Sequence, residues 1–101
     1  MTRVSWTSEA RSKLRGIRDY IAQDNPAAAQ ALAIRLLRRT RQLQVAPRSG
    51  RQVPEYRDAT IRQLLERPYR IIYRITDDQI AILTVMHYRQ LLPHDLPTSG
   101  Q

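Results

Sequence analysis

The sequence predicts an α+β fold of order β-α-α-β-β-β, with a helix hairpin packed on one face of a small, twisted, mainly antiparallel sheet. Three observations predict it. Apolar residues recur at helical spacing through two segments between residues 8 and 43, broken only at "DNP". Three β-branched runs then follow from residue 60 to 87, separated by two-residue links. A strand-like run, "RVSW", precedes the first helix.

Taken in order, residues 3 to 6 form a short strand closed by Thr7 or Ser8, either of which can cap a helix. In that helix Ala10, Leu14, Ile17 and Ile21 make a narrow stripe suited to docking on a sheet. At "DNPAAA" the chain stops and restarts: Asn25 is a good N-cap, and Pro26 suits the first helical position, where its missing N–H costs nothing. The second helix places Ala29, Leu32, Ala33, Leu36, Leu37, Thr40 and Leu43 on one side and Arg35, Arg38 and Arg39 on the other, with Ile34 among the cations. "VAPRSGRQVPEYRDA", residues 45 to 59, reads as a connection to the sheet. The strands "TIRQLLE", "YRIIYRI" and "QIAILTVMH" complete a meander through the links "RP" and "DD". At "ERP" one extra loop residue would move Arg62 and Leu64 to opposite faces, so the register there is open.

With 101 residues the chain holds one domain, expected over residues 1–92, followed by a mobile polar tail, "PHDLPTSGQ", at 93–101. Its formal charge is +8, from 17 Lys+Arg against 9 Asp+Glu, and Lys13 is the single lysine. Guanidinium forks pair bidentately with carboxylate or phosphate, so this bias suits an acidic protein or a nucleic acid. Between Pro26 and Pro54 there is no acidic residue, leaving Arg35, Arg38, Arg39, Arg41, Arg48 and Arg51 unopposed in sequence. The absence of cysteine excludes disulfides and thiolate metal sites and fits a cytoplasmic location. Two histidines without cysteines make no metal site, and three glycines form no phosphate loop, so no cofactor is expected. No segment reads as a leader or a membrane span.

A two-residue "DD" turn would pair Ile75 with Ile80, Tyr73 with Ile82 and Ile71 with Thr84, and set Arg70 opposite Val85. One face would then carry Tyr69, Ile71, Tyr73, Ile75, Ile80, Ile82, Thr84 and Met86 under the helices. The other would carry Arg70, Ile72, Arg74, Ala81, Leu83, Val85 and His87. With both helices on the first face, the second is expected to lie open, half apolar and half cationic, for a partner to cover. The alternative for Arg70 is an ion pair with Glu66 or Asp95.

This order of elements, with "VSWTSEARSKLRGIRDYIAQDNPAAAQAL", "SGRQVPEYRDATIRQLLERPYRIIYRI" and "ILTVMHYRQLLP", resembles the RelE/ParE superfamily of bacterial toxins, closest to its ParE-like, plasmid-stabilisation branch. The resemblance implies a type II toxin–antitoxin toxin, in hetero-oligomeric complex with a ParD-like antitoxin that wraps it by folding on binding. ParE-like members inhibit DNA gyrase without being nucleases; RelE-like members cut mRNA in the ribosome. Cleavage needs a base, an acid and a cation at one phosphate, and RelE-like toxins supply them with lysine, arginine, histidine or tyrosine. Here Arg70, His87 and Tyr88 match part of that set, but positions where the ribonuclease branch has lysines are Ile61 and Gln63. Glu55 is the nearby carboxylate able to act as a base, in a loop that sequence does not position. The resemblance therefore implies a gyrase-binding protein rather than an enzyme, with a ribosome-dependent endoribonuclease as the alternative. Partner contacts are expected from Arg70, Arg74, Leu83, His87 and Arg89 on the sheet side and Arg35, Arg38 and Arg39 on the second helix. A plain nucleic-acid-binding domain, a third class, would need a platform of exposed aromatics, which the sequence does not mark.

Overall fold

A computed structural model describes residues 2–77 and 79–90. The predicted tail lies outside the described residues, as do positions 91 and 92 of the predicted domain. Strand β1 (Arg3–Trp6) leads into helix α1 (Ser8–Ala22) and helix α2 (Pro26–Arg41), which closes in a 3-10 turn over Gln42–Gln44. Strands β2 (Arg51–Gln52), β3 (Ile61–Glu66), β4 (Tyr69–Thr76) and β5 (Gln79–His87) follow. They form one five-stranded sheet of order β1-β5-β4-β3-β2, antiparallel except where β1 runs parallel to β5. The two-residue strand β2 is an addition to the predicted order. It escapes a sequence reading because two residues between prolines carry no periodicity.

The helices start where their caps predict. Thr7 Oγ1 accepts the Ala10 N–H at 3.1 Å and donates to the Ile82 carbonyl at 2.9 Å, so the cap also pins α1 to the sheet. Asn25 Oδ1 accepts the Ala28 N–H at 3.0 Å, with Pro26 at the first helical position. The hairpin buries Ala10, Leu32, Leu36 and Leu43 against Leu64, Ile71, Tyr73, Ile75, Ile80, Ile82 and Val85, and Leu14, Ile17 and Ile21 pack on this core. Leu37, assigned to the buried side, is 42% exposed, as is Ile34. Both lie on the rim of a helix only about 100° of which needs to be apolar. Among the described residues no helix is long and apolar enough to cross a membrane.

Gly16 sits on the exposed side of α1 with no atom within 4 Å of an added Cβ. Mid-helix glycine costs about 1 kcal/mol against alanine. Gly16→Ala should therefore raise the unfolding free energy by up to that amount, seen as a higher urea midpoint; an unchanged or lower midpoint would count against an unstrained, uncrowded site.

Opposite pairs set the faces. The "ERP" link leaves Glu66 opposite Tyr69 and Leu64 opposite Ile71, which puts Arg62 and Leu64 on the helix side together. At the "DD" link Thr76 pairs with Gln79, Ile75 with Ile80 and Tyr73 with Ile82, as predicted. Beyond that point the register shifts by one residue: Ile72 pairs with Thr84, Ile71 with Val85, Arg70 with Met86 and Tyr69 with His87. The extra residue is a β-bulge at Leu83, and a one-residue insertion turns every later side chain to the other face. Val85 and His87 thus move to the helix side, and Met86 moves away from it.

The second face is not open. Val53, wholly buried, packs there with Ile61, Ile72, Leu83 and Met86, and Tyr56 and Ala81 border the cluster. The segment read as a loose connection folds back over the sheet, held by Val53 N–H to the Ile61 carbonyl, Tyr56 N–H to Val53 and Ile61 N–H to Asp58. Covering Ile61, Ile72, Leu83 and Met86 is worth about as much as ordering the loop costs, and the burial of Val53 and the loop's own hydrogen bonds tip the balance. Leu83, expected at a partner surface, is consequently a core residue.

Candidate functional site

Arg70 is the centre of the covered face. Its side chain is 7% exposed and meets the Glu55 carboxylate end-on, Nη1 to Oε2 and Nη2 to Oε1, each at 2.9 Å. Nε donates to Gln63 Oε1 at 2.7 Å. The alternative partner Glu66 is taken elsewhere, and Asp95 lies outside the described residues. Arg70 therefore lies beneath the 53–58 loop rather than on an open surface, and Glu55, which sequence left unplaced, is its counter-ion. The hydrogen bonds from Arg70 hold the Glu55 carboxyl below the usual carboxylate range. A carboxylate so held is a poor general base.

Four residues along β4, Arg74 donates to Thr60 Oγ1 at 2.8 Å and reaches Asp58 Oδ2 at 3.5 Å, while its Nε is buried without a partner. Asp58 is itself oriented by Thr60, whose N–H and hydroxyl donate to Oδ1; these bonds lower its pKa. Tyr73, on the helix side, donates to the Pro47 carbonyl and accepts the Gly50 N–H, both at 3.0 Å. Burial pushes its pKa up, so it stays a neutral hydrogen-bonding anchor.

His87 belongs to a different place. The bulge sets it across from Tyr69, edge to face at 5.9 Å, beside an open groove of about 740 Å³ under α1 that Lys13, Gly16 and Tyr20 also line. The Tyr88 ring stacks on His87 at 5.1 Å, and the Arg89 guanidinium lies 5.8 Å from the Tyr88 centroid. Tyr20 is 75% and Tyr88 47% exposed. His87 Nδ1 accepts the Arg89 N–H at 3.1 Å. The chain thus does possess an exposed aromatic and cationic corner, which sequence did not mark because its rings come from α1, β4 and the residues after β5.

On α2, Arg35 and Arg39 are not free: their Nε atoms reach the two Glu66 oxygens at 3.4 and 3.2 Å. Arg38 is exposed and makes no ion pair among the described residues. Of the predicted site residues, then, the structure places Arg70, Arg74 and Leu83 together under the loop. His87, Tyr88 and Arg89 share a corner at the end of β5, with His87 alone lining the helix-side groove, and Arg35, Arg38 and Arg39 lie along α2. Gln63, singled out in sequence only as a position where the ribonuclease branch has a lysine, is the third contributor. Its signal was present: Gln63 and Arg70 lie on the same sheet face in any register that keeps Leu64 opposite Ile71. Among the described residues no group of three histidine, cysteine or acidic side chains is placed to hold a metal ion.

A hairpin of helices on a five-stranded sheet whose long central strand reads "YRIIYRI" defines a toxin of the RelE/ParE superfamily, and the comparisons agree. The family described as the ParE toxin of the type II toxin–antitoxin system parDE matches residues 4–92, and the chain belongs to it. Toxin RelE2 of Caulobacter vibrioides is 38% identical over 92 residues, spanning 90% of this chain and all of that one. Among solved structures, the chromosomal ParDE system from P. aeruginosa superposes with a TM-score of 0.70 at 26% identity, covering 86% of this chain and 96% of its own. The toxin–antitoxin complex RelBE2 from Mycobacterium tuberculosis shares the fold, with a TM-score of 0.59 at 24% identity over 85% of this chain and 96% of that one.

Proposed function

We propose that this toxin does harm by binding DNA gyrase, not by cutting RNA, and that a cognate antitoxin neutralises it. One observation carries the reading: the β-bulge puts His87 on the helix side of the sheet and leaves Arg70 on the other, closed by Glu55. Phosphodiester cleavage needs its base, acid and cation within about 3 Å of one reacting group. Arg70 and His87 cannot meet one phosphate from opposite faces. The antitoxin reading draws support from the structural relatives, which are toxin–antitoxin systems. For partner contacts Arg35, Arg38 and Arg89 are the best exposed of the expected residues.

The name of the Caulobacter relative, RelE2, favours the ribonuclease as a second reading. Its residues would then be His87 and Tyr88 with Arg89 as the cation, not Arg70, because these three are stacked at one corner. The purified, antitoxin-free protein decides between the two. The expected result is inhibition of gyrase supercoiling with intact message on programmed ribosomes; cut message with normal supercoiling would overturn the gyrase reading.

A further inference from the structure

One face of α1 carries a hole and a knob side by side. Glu9, Ser12, Lys13, Gly16, Ile17 and Tyr20, at i, i+3, i+4, i+7, i+8 and i+11, form one wall of the groove of about 740 Å³, which therefore runs along most of the helix. At the middle of that wall Gly16 leaves open space where any other residue would set a side chain. Tyr20, one turn further on, holds its ring 75% exposed. Nothing among the described residues requires either feature. A glycine in mid-helix gives up helix propensity, and an aromatic ring in water gives up the burial it could have. Both are explained by a body that approaches the α1 backbone closely at Gly16 and covers the ring.

Charge narrows what that body is. The chain carries +8, yet among the described residues no arginine lines the groove. At 100° per residue Arg11, Arg15 and Arg18 leave α1 roughly 100–160° away from Gly16, whereas Glu9, Lys13 and Asp19 lie within about 60° of it. The Gly16 face thus sets one cation against two anions on an otherwise strongly basic molecule. An acidic partner is drawn elsewhere, to the acid-free stretch between Pro26 and Pro54. A second basic molecule can come up to this face without meeting a cationic surface.

We propose that this face is a self-association surface, on which two copies of the chain pair their α1 helices antiparallel about a two-fold axis at Gly16. Such an axis brings together positions equally far before and after Gly16, so Ser12 and Lys13 of one copy meet Asp19 and Tyr20 of the other. The Tyr20 ring of each copy enters the other's groove beside Lys13 and Tyr69, where an ammonium group and an aromatic ring receive it. The Ser12 hydroxyl donates to the other copy's Asp19 carboxylate. Knob and hole lie on the same patch, so the contact is isologous and closes at two. One helix face makes a small interface, and the dimer is a weak one that forms at high protein concentration. It covers His87, which lines the same groove, and so competes with any partner that uses His87. The surface holds whichever target the toxin takes.

Sedimentation equilibrium of the purified, antitoxin-free protein from about 10 to 500 μM should show a monomer–dimer equilibrium with no larger species. Raising NaCl from about 0.1 to 0.5 M should tighten the dimer about twofold or more, because salt screens the repulsion between two chains of charge +8. Tyr20→Ala removes the knob and Gly16→Gln blocks the hole; both sites are open to solvent in the monomer, and each change should weaken the dimer about tenfold or more. A wild-type protein that stays monomeric throughout overturns the proposal and leaves the groove to a different protein. A Tyr20→Ala dimer as tight as the wild type overturns it too, since the contact then uses another surface. So does a dimer that salt weakens, or assembly beyond two copies. Should Gly16→Gln fail to fold, Tyr20→Ala alone decides.

Discussion

Glu55→Ala will destabilise the fold more than Arg70→Met, although each removes one half of the same ion pair. Breaking a buried pair by removing one partner costs about 3–5 kcal/mol, because the other charge is left uncompensated. Here the two halves differ: Arg70 is 7% exposed and Glu55 36%. Arg70 left alone keeps only Gln63 and whatever water enters the space Glu55 vacates, whereas Glu55 left alone is well solvated. Allowing for screening at the exposed end, Glu55→Ala should cost about 2–3 kcal/mol and Arg70→Met about 1 kcal/mol. The double replacement Glu55→Ala/Arg70→Met should cost less than Glu55→Ala alone, since it removes the stranded charge. Urea denaturation of the three variants checks this, and equal, additive costs would contradict it. The pair also sets a pH dependence. Its carboxyl has a folded pKa below the ordinary 4.5, so the stability it contributes is present above that value and lost as pH falls through the folded one. Glu55→Gln should lack that part of the acid-induced loss. A fall in toxicity on replacing Arg70 is therefore a measure of stability unless folded protein is held equal.

Gly50→Ala is the second large effect. A Cβ at this position would lie 2.5 Å from Tyr73 Oη and 2.6 Å from the Gln63 carbonyl oxygen. Neither can retreat: Tyr73 is wholly buried and bonded to Pro47, and Gln63 is held in the ladder opposite Arg51 and Ile72. Overpacking of this kind costs about 1–3 kcal/mol, and the upper end is expected because backbone is one of the two obstacles. Tyr73→Phe should cost about 1–2 kcal/mol by stranding the Gly50 N–H and the Pro47 carbonyl. In the double variant the costs should fall short of their sum, since the phenolic oxygen is then gone. Full additivity in thermal unfolding would mean that the loop shifts away and the phenol is not its anchor.

Much of the fold was legible in local chemistry. Thr7, Asn25 and Pro26 mark helix starts by hydrogen-bonding rules that act over three residues, and the apolar stripes of α1 and α2 identify the side that docks. Register was legible from the "DD" link as far as Tyr73 and Ile82, because a two-residue turn constrains the pairs nearest to it. It was lost at Leu83, where an inserted residue is as apolar as its neighbours and leaves no mark in the alternation. That single residue decides whether His87 joins Arg70. The second gap was the 45–59 segment. Its prolines and glycine read as a connection, yet Val53 buries a side chain and Glu55 pairs end-on with Arg70, contacts with partners about 10 to 30 positions away that no local pattern encodes. The unpaired arginine on a half-apolar face was the available hint: such a cation needs a carboxylate, and Glu55 lies in the one segment without an assigned place.

On the proposed reading this toxin binds gyrase and does not cleave RNA. Mapping of mRNA 5′ ends in cells, before and after induction of the toxin at a level that arrests growth, tests it most directly, alongside recovery of gyrase covalently trapped on DNA. The account predicts trapped gyrase and no new message ends in phase with codons. New codon-phased ends, absent when His87 or Tyr88 is replaced in a folded variant and unaccompanied by trapped gyrase, would contradict it.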